Sequence, residues 1–435
     1  MCPAGVTSRP ATALGARPDA TPFVLHPRAL AVGILRLMAP SRVTNGLRGD
    51  RRNAPDPAQR GEGARRVSAL ELFFDLVFVF AITQVTGLMS ADPSWGGVAR
   101  GLLVLAAIWW AWGAYSWLTN TIDPDSWIGR LAVFAAMTAM LIVALAIPEA
   151  FGSDAVLFAC AYIVVRVLHI LVYAEGSADV SVQGAVRALA PTSISAPGLL
   201  IAAGFLDGSA QLALWCVALV IDYSGPYLRG VAGLSVAPSH FAERYGLIVI
   251  IALGESIVAI GVGAAGLELG AGEVGAATAG LVLAGGLWWV YFGTAAGLAE
   301  RKLQEAAGAG RARLARDAYS YLHLPMIAGI VLVALAIKKT LAHVDDPLET
   351  VSAVALCGGV AVYLLAQSAF RLRVLRALSL ERLGAALASL ALIPFAASAP
   401  ALVGLATVAG LLVTLVAYET IRCRDEWSGL RAAGS

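Results

Sequence analysis

Few side chains in this sequence can do acid–base or ionic chemistry, and most of those sit inside long apolar runs. A charge held there costs at least about 2.5–3.5 kcal/mol on insertion scales, so each is a candidate for ligand binding or for a structural ion pair. Glu255 lies deepest, in Leu-Gly-Glu-Ser, where Gly254 leaves room for a close neighbour. Arg244 comes about three helical turns earlier, on one stripe with Ile248, Ile251 and Glu255. A carboxylate near the midplane with Arg244 or Arg166 as counter-charge suits a proton or cation site. The plain alternative is a salt bridge that only joins helices.

Glu71 and Asp75 stand i, i+4 on one helix face. The helix dipole accounts for an acid in the first turn, which suffices for Glu71. Asp75 lies a turn deeper, among Phe73, Phe74, Phe78 and Phe80. Tyr162, Arg166, His169 and Tyr173 then form a polar stripe at i, i+4, i+7 and i+11 that lipid cannot satisfy. Against a binding role for that stripe stands a snorkelling arginine with interfacial tyrosines. Asp222, just before Gly225-Pro226, and His323, a turn after Tyr319, complete the set. For the histidine, hydrogen-bonded packing is the ordinary role. Trp109, Trp110, Trp112 and Trp117, and the later pair Trp288 and Trp289, suit packing or stacking on a ligand. There is no HExxH, GxSxG or paired Asp-rich motif, and Cys2, Cys160, Cys216, Cys357 and Cys423 have no metal-ligand spacing. No catalytic residue, metal or cofactor is therefore expected.

These residues need long helices to position them. Of the residues, 59% are hydrophobic and 14% charged, with mean hydropathy +0.76. A soluble chain carries roughly a quarter charged residues. The apolar residues come in blocks of about 20, the length at which a helix crosses a bilayer core. Spans are expected at about 70–90, 98–118, 129–148, 155–173, 186–206 and 209–228, then at about 245–264, 275–296, 317–337, 350–369, 381–397 and 400–420. Arg187, Pro191 and Pro197 mark the fifth for a kink or break.

Three matches pair the halves in order: Trp109-Trp110 with Trp288-Trp289, VALAI at 143–147 with VALAI at 333–337, and Glu71 and Phe73 with Glu243 and Tyr245. The fold class expected is thus all-α, a polytopic membrane protein of about twelve transmembrane helices in two tandem six-helix repeats, residues 70–228 and 245–420. A disordered tail over 1–69, partly untranslated if Val43 is the start, and a short tail over 421–435 complete the chain.

Arginines and lysines crowd the tails and the loops after the eighth and tenth spans, with Arg301, Lys302, Arg311, Arg313, Arg316, Arg371, Arg373, Arg376 and Arg382. The positive-inside rule then puts both termini in the cytoplasm of a multi-pass inner-membrane protein. On that orientation Asp75, Arg166, His169, Asp222, Arg244 and His323 fall in the cytoplasmic half. They imply a polar cavity open to the cytoplasm, with Glu255 at its floor.

Three stretches carry a family resemblance: ELFFDLVFVFAITQ from Glu71, HFAERYGLIVIIALGES from His240, and YLHLPMIAGI from Tyr321. They resemble, in order, signatures of the bacterial low temperature requirement protein A (LtrA) family, over roughly residues 65–425. The resemblance implies an inner-membrane protein associated by name with growth in the cold, and no settled activity.

Three readings of function follow. The duplicated halves and buried carboxylate favour a secondary transporter or ion-coupled permease. An intramembrane enzyme on a lipid or isoprenoid substrate would use Asp75 or Glu255 with a histidine. A structural or sensory protein would use the charges only to set helix register. Partners expected are membrane lipids and a small solute or ion, and no nucleic acid, since the net charge of +2 is too small to suggest it. Substrate, coupling ion and oligomeric state are not written in the residues.

Overall fold

The computed structural model describes residues 66–122, 126–177 and 179–433, with side chains as far as residue 422. The expected N-terminal tail up to residue 65, with Val43, lies outside the described residues. In chain order the helices are α1 (Ala69–Ala91), α2 (Trp95–Thr121), α3 (Trp127–Ala146), α4 (Ala155–Gly176), α5 (Val180–Ala203) and α6 (Gly208–Leu228). There follow α7 (Pro238–Gly263), α8 (Ala271–Glu305) and α9 (Gly308–Ala342), α10 (Thr350–Leu375), α11 (Leu380–Ala391) and α12 (Ala401–Ala433). No β-strand occurs among the described residues. The protein is an all-α polytopic membrane protein.

Ten of these helices are long and apolar enough to cross a membrane; α6 and α11 are not among them. Gln211, Asp222 and Pro226 lower the apolar content of α6, and α11 stops after 12 residues, with a four-residue turn at Ile393–Ala396 behind it. The break expected in the fifth span is absent: α5 runs unbroken over Pro191 and Pro197. Membrane helices tolerate interior proline where neighbouring groups satisfy the freed carbonyls. At the chain's end α12 continues to Ala433, beyond the expected boundary at 420.

Without water in the bilayer core, close packing has to hold the helices together, and small residues permit it. At the α9–α10 crossing a Cβ on Gly329 would come 2.5 Å from Gly359 O, and one on Gly359 would come 2.8 Å from Gly329 O. The backbones therefore touch there. In the first half α1 packs on α2 and α3, α3 on α4, α4 on α5, α5 on α6 and α2 on α6. In the second half α7 packs on α8 and α9, α9 on α10, α10 on α11, α11 on α12 and α8 on α12. Contacts of α1 and α2 with α7 and α9 join the two sets.

Two π-helical stretches interrupt long helices, Tyr291–Ala295 in α8 and Ala315–Tyr321 in α9. Such bulges re-aim the side chains beside them and recur near functional sites. Both border the buried aromatic layer around Tyr245 and His323.

Candidate functional site

The N-terminus of α1 is set by Ser68. Its hydroxyl accepts from the Glu71 N–H at 3.2 Å while its own N–H donates to Glu71 Oε2 at 2.9 Å, a reciprocal cap. This places Glu71 and, one turn on, Asp75 on the face that meets α7. On α7, which starts at Pro238, His240 and Arg244 repeat the i, i+4 spacing with basic groups. Arg244 Nη2 donates to Asp75 Oδ1 at 2.9 Å, and Nη1 lies 3.4 Å from Glu71 Oε1. His240 Nε2 is 3.1 Å from the Glu71 carboxylate. Trp112 of α2 donates its indole N–H to Asp75 Oδ1 at 2.9 Å, and its ring lies 5.7 Å from the Arg244 guanidinium carbon. All five side chains are buried. Two carboxylates face one guanidinium, so the cluster carries an excess negative charge unless a proton sits on His240 or on a carboxyl.

Farther along the same pair of helices, the Thr83 hydroxyl of α1 donates to Glu255 Oε2 of α7 at 2.6 Å. Arg244 and Glu255, eleven positions apart, are separated by about 16 Å along a helix rising 1.5 Å per residue. The expected pairing of Glu255 with Arg244 or Arg166 therefore does not form; both arginines take aspartates instead. Glu255 does not line the cavity beside Arg166; it lies between α1 and α7.

This cavity lies between the later turns of α2, α4 and α6, the first half of α5, the α6–α7 connection and the π-helical stretch of α9. Its volume is about 80 Å³; one water needs roughly 10–15 Å³ on the same measure. Arg166 of α4 lines it, 2% exposed, with Nη2 donating to Asp222 Oδ1 at 2.7 Å and to Ser193 Oγ at 3.0 Å. Among the described residues Arg166 Nε and Nη1 have no hydrogen-bond partner. Arg316 of α9 stands at the wall, 4.3 Å above the Tyr227 ring, with Nη1 donating to Pro226 O at 3.0 Å. Ser320 ties the cavity to the α1–α7 joint: its hydroxyl accepts from Trp117 Nε1 and bonds the Tyr245 hydroxyl, both at 2.9 Å. No group of acids, histidines and cysteines able to hold a metal ion occurs among the described residues.

The stretches that meet at the joint are the two longest of the quoted signatures, ELFFDLVFVFAITQ on α1 and HFAERYGLIVIIALGES on α7. The family described as "Bacterial low temperature requirement A protein (LtrA)" matches residues 66–417. The chain belongs to the LtrA family. A relative from Rhizobium meliloti (strain 1021), "Uncharacterized protein RA0937", is 33% identical over 290 residues, 64% of this chain and 70% of the relative. No solved structure matches.

Within this LtrA protein the residues singled out from sequence separate into two groups and three outliers. Glu71, Asp75 and Arg244 meet at the joint; Arg166, His169 and Asp222 meet at the cavity. Glu243 is exposed and accepts from the Val67 N–H at 3.1 Å, apart from both. His323 is buried with Nδ1 donating to Ala318 O at 3.0 Å, so its Nε2 accepts from the Tyr291 hydroxyl at 2.9 Å, the packing role. Glu255 stands with Thr83.

Two residues counted among the loop charges belong to the bundle. Arg382 is buried in α11, with Nε and Nη2 on the Glu419 carboxylate at 2.6 and 2.8 Å, and Arg316 is part of the cavity wall. Sequence reasoning also passed over His240, Ser193 and Ser320. The i, i+4 pair His240 and Arg244 mirrors Glu71 and Asp75, and that was a usable signal. For Ser193 and Ser320 none existed.

Proposed function

We propose that this LtrA protein is a secondary transporter or ion-coupled permease of the bacterial inner membrane. On this reading both termini lie in the cytoplasm and the cavity around Arg166 opens to that side. One observation carries it: a cavity walled by helices of both halves, lined by a buried arginine whose Nε and Nη1 have no hydrogen-bond partner among the described residues. Sites between two packed sets of helices are where alternating access operates. The neighbour pattern of the first six helices recurs in the last six, which supports a tandem repeat. Glu255, held by a hydroxyl and in no ion pair among the described residues, is the coupling carboxylate on this reading.

The test is flux. In proteoliposomes carrying an internal pH dye, a panel of small solutes should include one that drives uptake and a pH change at least tenfold above empty vesicles. Glu255→Gln should abolish the pH change. A panel that yields no flux in either membrane orientation would overturn the transporter reading. A structural role is the second reading, favoured by the ion pairs that lock α1 to α7 and α4 to α6.

A further inference from the structure

The cavity itself says what it would bind. A guanidinium has five N–H donors. In Arg166 two are used, by Asp222 and Ser193, while the Nε–H and both Nη1–H groups have no partner among the described residues, in a side chain only 2% exposed. Buried donors of this kind favour an acceptor, and a charged acceptor makes the stronger bond. Around them the charge is lopsided. Asp222 balances Arg166, and Asp317 is shared between Arg316 and Arg373 at 2.7 and 2.9 Å, which leaves one positive charge over at the wall. The remaining lining is aromatic and aliphatic, with Trp110, Trp117 and Tyr173 on one side and Val186 and Leu189 on the other.

An organic cation would find Asp222 already engaged and would face two guanidinium groups. A bare inorganic anion would leave the apolar walls unused. We infer that the Arg166 cavity binds a small organic monocarboxylate, its carboxylate on the free Arg166 N–H groups beside His169 and its apolar body against Trp110 and Trp117. This names the substrate class for the transport reading and rests on that reading's assignment of the cavity.

The experiment uses the full chain in nanodiscs, with binding read by calorimetry and by the shift in thermal midpoint. Probes are acetate, benzoate and indole-3-acetate, each against its neutral amide, with benzylamine as the cation control. Arg166→Lys keeps a cation for Asp222 but lacks the Nε and Nη1 donors; Arg166→Gln with Asp222→Asn removes both charges together, so that neither is stranded. At least one aromatic carboxylate should bind wild type and raise its midpoint, its amide at least tenfold more weakly. Arg166→Lys should weaken that carboxylate at least tenfold while remaining folded, and the double variant should do the same. Binding by benzylamine or by the amides in preference, or full affinity in Arg166→Lys, would overturn the inference. Carboxylate binding without flux in proteoliposomes supports this inference and removes only the transporter reading. Flux of another solute with no carboxylate binding removes only this inference.

Discussion

Arg244 and Arg166 are similarly buried, 0% and 2% exposed, and each reaches an aspartate on another helix, at 2.9 and 2.7 Å. Their surroundings differ. Arg244 has a second carboxylate within 3.4 Å, an indole beside it and no place in the cavity lining. Arg166 has one carboxylate, one hydroxyl and a place in the cavity lining. The same residue type thus closes a joint in one place and furnishes a cavity in the other. Both leave Nε and Nη1 without a hydrogen-bond partner among the described residues, so what decides between the two is whether the neighbouring helices touch or part.

Single truncations strain this comparison most. Arg244→Met strands Glu71 and Asp75 together in a buried site and should cost at least about 3–5 kcal/mol of stability, the range for breaking a buried pair. Arg166→Met strands only Asp222 and should fall at the lower end of that range. Denaturation of the two variants in the same detergent gives the order, and a milder Arg244→Met would undo the contrast. Asp75→Asn is gentler: the amide oxygen still accepts from Trp112 and Arg244 keeps Glu71, so a loss of about 1–3 kcal/mol is expected for the weakened bond.

Removing a pair whole sharpens the point. Arg166→Met combined with Asp222→Leu should be neutral or even stabilising, because the desolvation of both charges disappears with them. A double variant as damaged as Arg166→Met alone would show that the cavity lining, not the charge, holds α4 to α6. Smallest of all should be Glu255→Gln. Its amide oxygen can still accept from Thr83 and no ion pair is lost, so a change under about 1 kcal/mol is expected in the thermal midpoint. Any larger drop would make Glu255 a structural residue.

Much of the helix plan was legible before the structure. The blocks of about 20 apolar residues set the spans, and the i, i+4 and i+7 spacings put Glu71 with Asp75 and Arg166 with His169 and Tyr162 on single faces. Periodicity within a helix carries that information. It carries nothing about which face meets which, so Arg244 was set against Glu255 on its own helix when its partner is Asp75 on another. The inward-facing stripe on α4 was readable, while Ser193 and Asp222 as the partners of Arg166 were not. Loop charge was also misjudged at Arg382. A hydrophilic residue at a helix start looks the same whether the first turn is wet or, as here, buried against Glu419.

By itself the sequence determined that this is an all-α membrane protein of the LtrA family, because hydrophobic length, short motifs and intrahelical spacing are local properties of a chain. Only the tertiary structure decided that the signatures on α1 and α7 close on one another. The same holds for the cavity beside Arg166. Ion pairs between helices depend on the relative rotation and depth of elements some 170 residues apart, as with Glu71 and His240, and packing sets these where no local pattern does.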